Sequence, residues 1–207
     1  MGPFGRQSAR PELPPAVKSA CELAKGERVL AFGVDDNTGG YVVATSFAVA
    51  VVTSVAPSSP ARRTLRRRWL SVDAASWEPE TATLTVTWAD RARAEQWSFR
   101  DQPTRLPETL RERVQASVVI STRLSLGDRR TGRVAIRQDF EARELVPQTI
   151  LGRYTRADDP EVAAHVEAAL AHLRDQVGLP ACPRMSSGVG FVTGETLCYS
   201  STRCIPL

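Results

Sequence analysis

The chain has 207 residues, of which 42% are hydrophobic and 24% charged, and it carries a net charge of +4. That balance fits one globular domain, or one domain with an appendage, and excludes wholesale disorder. The longest apolar run, Tyr41 to Val55, is broken by Thr45, Ser46, Thr53 and Ser54 and falls short of the ~20 residues a membrane-crossing helix needs, so no transmembrane segment is expected.

Residues 1–13 are rich in Gly, Pro and Arg and read as a disordered N-terminus. The first twenty residues lack the apolar stretch of a signal peptide, which predicts a cytoplasmic protein with reduced thiols. Arg6 stands where a myristoylation signal wants Ser or Thr. Pro14 to Lys25 predicts a short helix, with Val17, Cys21 and Ala24 on one side and Gly26 to end it. Arg28 to Val34 reads as a strand and Asp35 to Gly40 as the turn after it. Tyr41 to Ala44 and Phe47 to Thr53 read as two further strands, the second almost wholly apolar. Pro57-Ser58-Ser59-Pro60 is a loop leading to a basic run, Arg62-Arg63-Thr64-Leu65-Arg66-Arg67-Arg68, where the excess positive charge of the chain resides.

All four tryptophans lie between Arg66 and Phe99. Within that stretch Leu84, Val86 and Trp88 alternate with Thr83, Thr85 and Thr87, a period of two that predicts a strand with one buried face. Glu78-Pro79-Glu80-Thr81 supplies a turn before it, and Trp69 to Trp77 and Glu95 to Phe99 supply the neighbours of a three-stranded antiparallel meander. A helix follows, with Pro107 in its first turn, Glu108 complementing the dipole, and Leu106, Leu110, Val114 and Val118 recurring every four residues.

This order resembles a bacterial pleckstrin-homology-like domain. The residues that carry the resemblance are Gly26 to Leu30 opening the first strand, Val42 to Thr45, Trp69-Leu70-Ser71-Val72-Asp73, a Leu-x-Val strand and a closing helix. Met1-Gly2-Pro3-Phe4-Gly5-Arg6 and a late helix begun by Asp159-Pro160 also look like a family of small, uncharacterised actinobacterial proteins. Many bacterial members carry an Arg where this chain has Phe47, so that residue's role does not transfer, and the family brings no assigned activity. The resemblance implies an α+β fold: an antiparallel β-barrel or sheet of six to seven strands capped by a helix, over residues 14–117.

Val118 to Leu124, Arg133 to Gln138 and Glu144 to Tyr154 then predict three strands, with Pro147 pointing to an edge position or a bulge. Asp159 can cap the last helix, Pro160 fits its first position, and Gly178 and Pro180 end it. Its apolar stripe is Val162, Val166, Ala169, Leu170, Leu173 and Val177. Residues 118–179 therefore form a βββα extension packed on the first unit. The tail, residues 180–207, has 3 charged residues and three of the four cysteines. It reads either as a weakly structured, late-added or read-through segment or as a hairpin from Gly190 to Ile205 docking on the domain.

The basic run is the charged feature that stands out. Arg62, Arg63, Arg66, Arg67 and Arg68 form a candidate anion-binding site for a lipid head group or nucleic acid. Set against this is a solvated loop entering an edge strand, with GC-rich coding as the source of the arginines, because only two of the 27 basic residues are lysine. His165 and His172 lie about 10 Å apart along one helix at roughly 1.5 Å per residue, too far to share a metal. Neither can activate a Ser, Thr or Cys nucleophile elsewhere. Cys21, Cys182, Cys198 and Cys204 lack zinc spacing, Asp35-Asp36 lacks the alternating oxygens of a calcium loop, and Gly188 to Gly194 misses the dinucleotide spacing. No catalytic, cofactor-binding or metal-binding residue is assigned. The leading expectation is a non-catalytic binding or scaffold module with a protein partner. The alternatives are a peripheral anionic-lipid or nucleic-acid binder and, third, an enzyme of unknown class.

Overall fold

A computed structural model describes residues 12–53, 60–100, 102–127 and 129–180 of the chain. The disorder expected of residues 1–11, the loop at residues 57–59, and the alternatives for residues 181–207 with Cys182, Cys198 and Cys204 lie outside the described residues. Leu13 belongs to the folded part rather than to a disordered N-terminus. It is buried with Val17 of the short helix α1 (Pro15–Ala20) and with Cys21 just beyond it, against the first sheet.

That sheet is antiparallel, in the order β1 (Val29–Val34), β2 (Tyr41–Thr45), β3 (Ala48–Thr53) and β4 (Arg62–Arg68). Asp35 builds the β1–β2 turn: its carboxylate accepts from the Thr38 hydroxyl at 2.7 Å and amide at 3.1 Å, and from the Ser98 amide at 2.9 Å. The aspartate pair therefore shapes a turn and ties it to the next sheet. The basic run is a seven-residue strand, not the loop that its charge suggested. The reason lies in β3, which is buried along nearly its whole length and needs a partner strand on that side. Arginine can serve there because its long aliphatic stem covers apolar surface while its head reaches out to polar groups.

A single 3₁₀ turn, Trp69–Ser71, leads into the meander of β5 (Val72–Glu78), β6 (Thr83–Trp88) and β7 (Glu95–Ser98), in that order in the sheet. Leu84, Val86 and Trp88 face inward as their alternation predicts. With Trp69, Trp97, Phe99 and residues of β1–β3 they make the main core, each such side chain worth about 2–3 kcal/mol by area. Trp77 is the exception. It sits on the edge strand β5 and is 36% exposed, because the core stops short of that end of the strand. The two sheets remain separate, so the seven strands do not close into the expected barrel. α2 (Leu106–Ser117) packs on the core through Leu106 and Leu110. Val118, expected on its apolar stripe, instead begins the next strand.

The third sheet, in the order β10 (Glu144–Leu151), β9 (Gly132–Asp139) and β8 (Val118–Arg123), places Pro147 on an edge strand, the position in a sheet that tolerates proline. α3 (Pro160–Gln176) covers one face of this sheet, with Val162 and Leu173 buried against Val134 and Ile136. Asp159 accepts from the Glu161 amide at 3.0 Å to cap it, and Gly178 takes φ +68° to end it. Among the described residues no helix is long and apolar enough to cross a membrane.

Candidate functional site

The arginines of β4 reach in several directions, and most of them find carboxylates from distant parts of the chain. Arg63 meets Glu22 at 2.6 Å and the Cys21 carbonyl at 2.7 Å, both just beyond α1. Arg67 pairs with Asp90 and lies over the Trp88 ring, 4.7 Å from its centre. Burial alone would raise the Asp90 carboxyl, but hydrogen bonds from Arg67 and the Ala92 amide more than reverse this and hold it below its ordinary value. Arg62 is exposed on β4.

Arg66 and Arg68 face the turn between β9 and β10. Arg66 donates to Glu27 at 3.0 Å and to Glu141 at 3.1 Å. Arg68 pairs with Asp139, and its Nε lies 3.3 Å from Glu141. Asp139 is doubly occupied, since its other oxygen accepts from the Glu141 and Ala142 amides and so folds the turn. Phe140, between the two acids, packs against the main core, with the Arg113 guanidinium 5.5 Å from its ring centre.

Glu27 anchors this cluster from below. Its carboxylate accepts from the Thr45 hydroxyl, the Ala24 amide at 2.8 Å and Arg66. Burial pushes its pKa up, and those three donors together outweigh burial and hold it below the usual carboxylate value.

A second arginine of interest, Arg137 on β9, was not singled out by the sequence. It is 1% exposed and, among the described residues, has no carboxylate in hydrogen-bond reach. Its guanidinium donates to the Trp69 carbonyl at 2.8 Å, the Val72 carbonyl at 3.2 Å, the Gln148 side chain at 3.3 Å, and the Ser117 hydroxyl at 2.6 and 3.0 Å. Burial pushes its pKa down to about 10, neighbouring Arg133 adds to the fall, and Asp73 opposes it. Arg137 thus joins β9 to the 3₁₀ turn, β5 and the end of α2. Among the described residues every buried polar side-chain atom has a hydrogen-bond partner.

His165 and His172 are exposed on α3, bonded to the Glu161 carbonyl and to Gln176 respectively. Cys21 is buried, and burial raises its thiol pKa. A cleft of about 290 Å³ lies beside α1, lined by Phe32, Val34, Tyr41 and Pro103 with Glu12 at its rim.

A further exposed feature is the outer edge of β8. Among the described residues this strand pairs only with β9, and Val118 and Val119 are 36% and 45% exposed. Strand order in a sheet cannot be read from a single sequence, so this edge had no signal there.

Among known proteins the chain matches no family model, no curated protein and no solved structure.

Proposed function

We propose that this chain is a non-catalytic binding or scaffold module of pleckstrin-homology-like type, which takes an extended segment of a protein partner at the outer edge of β8. The observation that carries the reading is that edge itself, where two exposed valines accompany backbone groups with no strand beside them among the described residues. An added strand would complete the ladder with main-chain hydrogen bonds and cover the valines. The pleckstrin-homology-like assignment is supported by where the motifs fall: Gly26 to Leu30 opens β1, Val42 to Thr45 lies on β2, and α2 follows the seventh strand.

The test compares partner capture from the native host by the wild-type chain and by Val119→Lys, with thermal melting to show that both are folded. A partner held by the wild type and lost with the lysine variant supports the reading. A partner set unaffected by the lysine overturns it. The second reading is contact with anionic lipid or nucleic acid through Arg62, Arg63, Arg66, Arg67 and Arg68, favoured by the exposure of Arg62 and by the half-exposed Arg68 head. Salt-dependent binding of anionic vesicles or oligonucleotides that is lost in Arg62→Glu would support it.

A further inference from the structure

The β9–β10 turn meets β4 in the manner of a bound ligand. Three successive residues engage two kinds of surface: Asp139 pairs with Arg68 and Glu141 bridges Arg66 and Arg68, while Phe140 between them sits on the main core under Arg113. The arginines and the acids come from strands of different sheets, more than seventy residues apart in sequence. Arg66 has a partner outside the turn, whereas Arg68 pairs within it, with Asp139 and Glu141. Arg66 is fixed by buried Glu27, and its guanidinium is kept firmly charged: burial disfavours that charge, but Glu141 and Glu27 outweigh it. Guanidinium groups fixed in this way suit a carboxylate, because their N–H donors form a planar fork matching its two oxygens.

We infer that Arg66 and Arg68 form a receptor for an acidic protein segment, and that the Asp139-Phe140-Glu141 turn occupies it in cis and limits access. This rests on the β4 arginines being able to take an anion, and it goes beyond the readings above in naming the ligand and what controls its entry to the site. An acidic polypeptide fits better than a phosphate surface, because the resident occupant combines carboxylates with an aromatic ring. A tethered occupant competes at an effective concentration in the millimolar range, so an external segment of equal quality binds weakly until the turn is released.

Glu141 is the residue through which the occlusion can be tested. Its side chain is partly exposed and contacts the two arginines, whereas Asp139 also folds the turn and must be left intact. Glu141→Gln keeps the shape and removes the charge. The probe is a synthetic peptide of residues 138–144, Gln-Asp-Phe-Glu-Ala-Arg-Glu, with an amide-substituted version as the neutral control. Binding is followed by calorimetry on full-length wild type, E141Q and E141Q/R68Q, each first shown by its melting curve to be folded.

The expected result is that E141Q binds the acidic peptide roughly tenfold tighter than wild type, as loss of one charge-assisted competitor implies. The gain should disappear in E141Q/R68Q and with the neutral peptide. Equal binding by wild type and E141Q overturns the occlusion while leaving an anion site on β4. Absence of binding by both overturns the site itself. A preference of E141Q for anionic vesicles or an oligonucleotide over the peptide overturns the ligand assignment.

Discussion

At the scale of single residues, two of the buried charged side chains, Glu27 and Arg137, solve opposite problems. Glu27 is surrounded by donors, so its ionised form is favoured in the folded state despite burial. Its folded pKa lies below the ordinary 4.5, so the unfolded chain binds the proton first as pH falls. The stabilisation is then complete above pH 4.5 and is lost as pH drops through the lower, folded value. Melting temperature should be flat from pH 7 to about 5 and decline below, as Asp90 and Glu27 titrate. Glu27→Gln should cost about 2 kcal/mol at pH 7, or roughly 4–8 °C, and should make the acid decline shallower. An acid decline identical in slope to wild type would show that Glu27 is not its source.

Among the described residues no carboxylate bonds to the buried Arg137 cation, and its fan of carbonyl and hydroxyl acceptors makes this tolerable. Lysine in its place keeps the buried charge but cannot span Ser117, Val72 and Trp69 together, so Arg137→Lys should lose about 3 kcal/mol. Arg137→Met removes the charge along with the bonds it made, and should cost less than the lysine. The denaturant concentration at which far-ultraviolet circular dichroism begins to fall gives the order, and a methionine variant that begins to unfold before the lysine variant would refute this account.

At the scale of elements, the meander and the packing around it respond to side-chain volume. Gly33 on β1 lies under the Phe99 ring, and a Cβ there would come within 2.9 Å of two ring atoms and 3.1 Å of Leu106. Gly33→Ala should therefore destabilise by about 1–3 kcal/mol, since β7 and α2 would both have to shift outward. A carboxylate at the centre of the core is a larger insult: Leu84→Asp or Trp88→Asp should yield little folded protein, as measured by soluble yield and melting. These elements were largely legible in the sequence because local rules fix them. The Leu84-Val86-Trp88 alternation, the Asp159-Pro160 start of α3 and the edge-strand position of Pro147 each depend on a few adjacent residues. The candidate site was only half legible. Five arginines in seven residues are obvious as charge, but their partners Glu27, Asp90, Asp139 and Glu141 lie 23 to 75 residues away. No local pattern announces such pairing. Arg137 was missed for the same reason. Among the alternating residues of β9 it looks like a solvent-facing position, and only the sheet stacked above makes it interior.

At the scale of the whole molecule, the question is what makes the βββα unit one body with the two sheets before it. Its own core, centred on Leu126, Val134, Ile136, Val162 and Leu173, is distinct from the main one. The ties across are mostly polar: Arg137 to Trp69 and Val72, Arg133 to Asp73, Gln148 to Leu70, Arg91 to Leu151, and the β4 arginines to the β9–β10 turn, with Phe140 adding an apolar anchor. Exposed pairs in this set are each worth under about 1 kcal/mol and weaken in salt, whereas Arg137 is shielded from it. Arg137 is therefore the tie on which cooperativity should depend most. The tryptophans offer a clean readout, because all four lie at residues 69–97 in the first part of the chain, whereas far-ultraviolet circular dichroism follows both parts. In the wild type, fluorescence and dichroism should trace one unfolding transition. In Arg137→Lys the dichroism should begin to fall at lower denaturant than the fluorescence, as the βββα unit melts ahead of the tryptophan-bearing sheets. Coincident curves in that variant, merely shifted together, would mean that the smaller ties and Phe140 already suffice to make one cooperative unit.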